Sequence, residues 1–117
     1  MDLIKRKYTM STDMYGDWIV YITKFENCYC NNIVIYQRTG GIYQRPGGGY
    51  FTDDGHTVSD LYYFVPNWRE DGTVDKICKR YGCQMHGKNE ELQAPHGSQL
   101  IQAIITIYAW IEFKDDE

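Results

Sequence analysis

The sequence predicts an α+β domain, an antiparallel sheet of about five strands with one short helix near residues 74–81. Three observations predict it. Two runs, Tyr15–Phe25 and Ile33–Arg38, alternate with the period of a strand. Gly-rich and Asp-Gly turns separate short apolar segments between Ile33 and Pro66. One stretch, Val74, Ile77, Cys78 and Tyr81, has apolar residues at i, i+3, i+4 and i+7, a helical stripe. At 117 residues the chain is read as a single domain, 1–117. With 43% apolar residues it can bury a core without metal or disulfide.

Residues 1–14 hold Lys5-Arg6-Lys7 and a polar run, and are expected to be loose or to pair at a sheet edge. In the first strand Trp18, Val20 and Ile22 share one face; Ile19, Tyr21 and Thr23 share the other. Asn31-Asn32 marks a turn, because Asn tolerates left-handed backbone. In the next strand Ile33, Ile35 and Gln37 oppose Val34, Tyr36 and Arg38.

Here the chain repeats itself. The unit Ile-Tyr-Gln-Arg-x-Gly-Gly runs from Ile35 and again from Ile42. The first Gly pair is read as a hairpin turn and Ile42–Arg45 as its return strand. Pro46 and three glycines then break the ladder, since Pro lacks a donor and Gly has nothing to pack. Tyr50-Phe51-Thr52 is a short strand, Asp53-Asp54-Gly55 a hairpin turn, and His56–Val65 a further strand that completes a meander from Ile33 to Val65.

Thr73 is a helix-cap residue, Asp75 suits the helix start and Lys79-Arg80 its end, and Gly82 stops it. Cys83–Gly97 reads as a long polar connection. Leu100–Phe113 is rich in β-branched residues and reads as the last strand, with a buried helix capped by Ser98 as the rival. Residues 114–117 form an acidic tail.

The formal charge of −4 argues against binding nucleic acid or anionic membrane through general electrostatics. Direct nucleic-acid binding and membrane association are therefore not expected. No charged start leads into an apolar leader, and no apolar run reaches spanning length. A cytoplasmic location with reduced cysteines is expected. Eleven tyrosines suit a half-buried sheet first, and a contact surface second, because the ring is apolar and its tip polar.

Three constellations carry chemistry. Arg38 and Arg45 lie among Tyr36, Tyr43 and Tyr50 in a segment, Ile33–Thr52, without an acidic residue. Arg grips phosphate and Tyr stacks on bases, so a nucleotide or other small ligand is one reading; a hairpin with no ligand is the other. Asp53, Asp54 and His56 place carboxylates beside an imidazole, enough for acid–base work, but Asp-Asp-Gly is also an ordinary turn. Cys28, Cys30, Cys83 and His86 could hold zinc, although neither C-x-C nor C-x₄-C-x₂-H is the usual knuckle spacing; reduced thiols are the alternative. No established catalytic motif is present, and no catalytic residue or cofactor other than that zinc is expected.

Trp18-Ile19, Gly41-Ile42-Tyr43, Gly49-Tyr50-Phe51 and the run Asp54–Pro66, in that order, resemble a family of short phage and prophage proteins of unknown function. Those proteins begin near a Trp-Ile pair, carry a Tyr-Gly-Trp hairpin and close on Gly-x-x-Val-Thr-His-Trp-Met-Pro. The resemblance covers Trp18–Pro66 and departs at Asp60-Leu61, where the family has His-Trp. It implies a phage accessory protein, in a host-cell cytoplasm, without catalytic residues. The combined expectation is a non-catalytic interaction protein, an inhibitor of a host defence or nucleic-acid-processing complex. Its contact residues would come from Arg38, Tyr43, Arg45, Tyr50, Asp53, Asp54 and His56. A nucleotide-binding protein and a zinc-stabilised domain are the alternatives.

Overall fold

The computed structural model describes residues 3–12, 16–27, 29–38, 50–86 and 90–115. Six strands and four helices are described: β1 (Ile4–Thr12), β2 (Gly16–Glu26), β3 (Asn32–Arg38), β4 (Phe51–Thr52), α1 (His56–Phe64), α2 (Trp68–Asp71), α3 (Thr73–Tyr81), β5 (Gln84–His86), β6 (Glu91–Ala94) and α4 (Gly97–Asp115). All strand pairs are antiparallel, in the order β1-β2-β3-β4-β6-β5. The α+β class and the antiparallel sheet are as the sequence predicts, with one strand more than expected.

The N-terminal segment is a regular edge strand, with Tyr8 opposite Val20 and Met10 opposite Trp18. β2 and β3 follow the predicted alternation; Val20 faces Tyr36 and Tyr21 faces Ile35. The odd face of β3, Ile33 and Ile35, joins the main core. Trp18 and Val20 are buried outside that core, in the row Tyr8–Val20–Tyr36 and beside it. Trp18 meets Tyr36 edge-on, with ring centroids 5.7 Å apart. The sheet thus has apolar groups on both faces here.

Three expected elements are corrected. His56–Phe64 is a helix, not the last strand of a meander. Thr57, Val58, Leu61 and Val65 are buried, a helical stripe that the alternating pattern also fits. Burial against α4 and β6 decides between the two patterns and overrides the β-preference of Thr, Val and Tyr. Leu100–Phe113 lies in α4, the rival reading. Leu100, Ile101, Ala103, Ile104, Ile107, Tyr108 and Ile111 are all buried, at 3.6-residue spacing. The polar stretch 83–97 contains the β5 and β6 pair, joined as Met85–Leu92 and His86–Glu91. These strands are three and four residues long, and only Leu92 and Ala94 alternate into the core.

The helix predicted near 74–81 is α3. Val74, Ile77 and Cys78 are buried, and Asp75 pairs with Lys79 at 3.0 Å. Gly82 ends it at φ 71, its amide reaching the carbonyls of Cys78 and Lys79. Thr73 is not the cap: Gly72 takes that place at φ 84, and Asp71 accepts the Thr73 amide at 3.2 Å. Among the described residues, no helix is long and apolar enough to cross a membrane.

Candidate interaction surface

The site is built on the junction of β4 and α1. β4 pairs with β3 only at Tyr36–Thr52 and Gln37–Phe51. Asp53 then turns the chain. Its side chain is 1% exposed. Oδ1 accepts the amides of Gly55 at 3.0 Å and Leu92 at 2.9 Å, and Oδ2 accepts the amide of Thr57 at 3.0 Å. One carboxylate therefore caps the first turn of α1 and ties it to β6. Asp54 adopts φ 60 and Gly55 φ 83, left-handed backbone that swings the chain out of the sheet. The Asp54 amide is held by Thr52 Oγ1 at 3.1 Å.

A cleft of about 120 Å³ lies beside this junction. β3 lines it with Asn32, Ile33, Val34 and Tyr36; α1 with His56 and Thr57; α4 with Ile104 and Tyr108; Asn27 and Asp53 complete it. Tyr36 and His56 face each other at 6.5 Å, with 20° between their planes. Burial, then the charge of Asp54, pushes the Tyr36 hydroxyl above the ordinary tyrosine range, with smaller contributions from Tyr8 and Asp53. The Tyr108 hydroxyl donates to Asp60 Oδ2. Asn27 Oδ1 accepts the amides of Tyr29 at 2.9 Å and Asn31 at 3.1 Å, closing the β2–β3 turn.

The far end of α1 is aromatic. Tyr29, from the β2–β3 turn, packs on Phe64 at 5.6 Å, and Phe64 on Tyr63 at 4.9 Å. Tyr29 is 51% exposed and Tyr63 73%. Beside them Tyr62 donates to Glu90 at 3.1 Å and accepts from Arg69 Nε at 3.0 Å. Arg69 also pairs with Glu90 and lies over the Trp68 ring at 4.7 Å. That polar knot holds the 90–94 segment against α1.

The structure brings together Asp53, Asp54 and His56 and places them with Tyr36. Asp53, expected on a contact surface, is buried and engaged by main-chain amides. Asp54 and His56 are exposed, and Tyr50 is half-buried just before β4. Arg38 lies in β3 opposite Trp18, but its side chain is outside the described residues. Tyr43, Arg45, the tandem turn and the glycine break also lie outside them. Of the zinc set, Cys28 and the side chain of His86 fall outside as well. Cys30 is exposed and Cys83 buried, and among the described residues no three His, Cys, Asp or Glu side chains come together. Burial pushes the Cys83 thiol up to about 12 and that of Cys78 to about 11.

Sequence reasoning missed Tyr29, Tyr63 and Phe64 as neighbours. Helical spacing in 56–64 puts Tyr63 off the buried stripe, which was the available clue. Nothing in the sequence joins Tyr29 to them. No family model, no curated protein and no solved structure matches the chain.

Proposed function

We propose that this chain is a non-catalytic interaction protein that meets a partner protein through the aromatic end of α1. The observation that carries the reading is the exposed ring cluster Tyr29–Phe64–Tyr63. Aromatic rings immobilised by one another and left open to solvent supply large contact area at small entropic cost, the usual chemistry of an interface anchor. The carboxylate nearest His56 in sequence that is also buried, Asp53, caps main-chain amides, which supports a structural role for the Asp53-Asp54-His56 cluster. The narrower reading, an inhibitor from a phage or mobile element acting on a host complex, is supported by the sequence resemblance over Trp18–Pro66 and by the acidic charge.

The test is quantitative binding. A partner captured by the wild-type chain is identified by cross-linking, purified and titrated. Tyr29→Ala with Tyr63→Ala raises its Kd at least tenfold, the threshold of an anchor residue, while Tyr8→Ala on the β1 edge leaves it unchanged. Equal Kd values for the wild type and the double variant reject the patch.

A further inference from the structure

Among the described residues, β3 has an unpaired edge where it lines the cleft. The carbonyl of Asn31 accepts the Asn27 amide at 2.8 Å, and that of Ile33 accepts Thr23 Oγ1 at 2.7 Å. Both partners lie on the β2 side. In an extended strand alternate residues point opposite ways, so the amide and carbonyl of Val34 point away from β2. On that side Tyr36 still meets Thr52 of β4. In the same register Val34 would meet Asp54, but Asp54 is in left-handed backbone and its amide is held by Thr52. Among the described residues, no strand completes the ladder at Val34.

α1 continues from the end of β4 and runs back along this edge, from His56 near Tyr36 to Phe64 near Tyr29. The space between the strand edge and the helix is the cleft, with Ile104 and Tyr108 of α4 also lining it. Edge strands left open in folded proteins are usually blunted by Lys or Pro. The outer strand β1 is treated that way, with exposed Lys5, Arg6 and Lys7. Residues 32–34 carry neither Lys nor Pro, and what stands beside that edge is α1, across the cleft. The charge at the cleft has one sign. Asp53 lines it, Asp54 flanks it, Asp60 holds the cleft-lining Tyr108, and no Lys or Arg is among the lining residues.

We propose that the edge of β3 at Val34 accepts an extended peptide segment of a partner protein, bearing a Lys or Arg side chain, as a short added strand at the Val34 edge with one side chain in the cleft beside α1. The amide and carbonyl of Val34 bond the guest main chain, and Asp54 and Asp60 receive its basic side chain. This is strand addition, in which main-chain bonds give affinity and side-chain pockets give selectivity.

A ribosome-displayed random decapeptide library selected on the full chain tests it. No natural partner enters, so the outcome is independent of the aromatic patch. Enriched peptides are expected to contain Lys or Arg. Each, added as synthetic peptide, slows hydrogen exchange of the Val34 amide at least tenfold. Val34→Pro, which removes the edge donor, weakens binding at least tenfold. Asp60→Asn, which keeps an acceptor for Tyr108 but removes the charge, lowers the preference for basic peptides. The exchange measurement uses the wild-type chain and stands if the proline variant fails to fold. An empty selection, or binders that leave Val34 exchange unchanged, overturns the proposal.

Discussion

Removing the Asp53 carboxylate tests how α1 is held. Two of the amides it accepts, those of Thr57 and Leu92, are buried; that of Gly55 is partly so. A buried amide left without an acceptor costs roughly 1–3 kcal/mol. Asp53→Ala orphans two of them, so it should cost about 2–6 kcal/mol, a large part of the roughly 5–15 kcal/mol that holds a domain folded. Asp53→Asn can keep Oδ1 for Gly55 and Leu92 but turns an NH₂ toward the Thr57 amide. It should cost about 1–3 kcal/mol. Asp54→Asn, which keeps the tolerance for left-handed backbone at φ 60, should stay within about 0.5 kcal/mol. The assay is urea unfolding followed by far-ultraviolet circular dichroism, with the midpoint shifting and the slope unchanged. A loss below about 1 kcal/mol for Asp53→Ala, or equal losses for the Ala and Asn variants, would refute the three-amide account.

Other outcomes follow from the same structure. Gly72→Ala has open space for its Cβ and pays only the left-handed backbone at φ 84, about 1–2 kcal/mol by chemical unfolding. Gly82→Ala carries a similar backbone cost at φ 71, and its Cβ, 3.0 Å from the flexible end of Gln99, displaces that side chain rather than backbone, so the loss should be comparable. At pH 8, iodoacetamide with peptide mapping should modify Cys30 quickly, and Cys78 and Cys83 only after denaturation, because both buried thiols are neutral and shielded. Tyr36, whose folded pKa is raised, adds stability that is complete below the unfolded tyrosine value of roughly 10 and is lost as pH climbs through the folded value. Ultraviolet titration of tyrosinate should show a late-ionising component that Tyr36→Phe removes.

How much was legible in the sequence depended on whether local pattern and tertiary burial agreed. β2, β3 and α3 were legible because each carries a single period and clear ends: alternation in the strands, and in α3 a stripe closed by Gly82. His56–Phe64 was ambiguous, since Val58 and Leu61 fit a helical stripe while Val58, Asp60, Tyr62 and Phe64 fit a strand face. What decided it was burial against α4 and β6, to which Asp53 ties the first turn through Leu92, 39 positions away, and no local reading contains those contacts. In α4 the β-branched residues obeyed burial on a helical face rather than strand preference. The candidate site was legible only in part. Asp54 and His56 do stand together, but the aromatic end of α1 needs the β2–β3 turn beside it, a long-range juxtaposition. The free edge at Val34 arises because β4 stops at Thr52, and sequence alone placed the turn there without showing that the chain leaves the sheet.

The open edge of β3 is the feature on which the cleft rests, and amide hydrogen exchange of the free chain reads it directly. The amides of Ile33 and Ile35 point toward β2 and should be strongly protected, while the Val34 amide between them, with no described acceptor, should exchange far faster than either. Protection of Val34 equal to that of its two neighbours would mean that the edge is already paired, and would contradict the account.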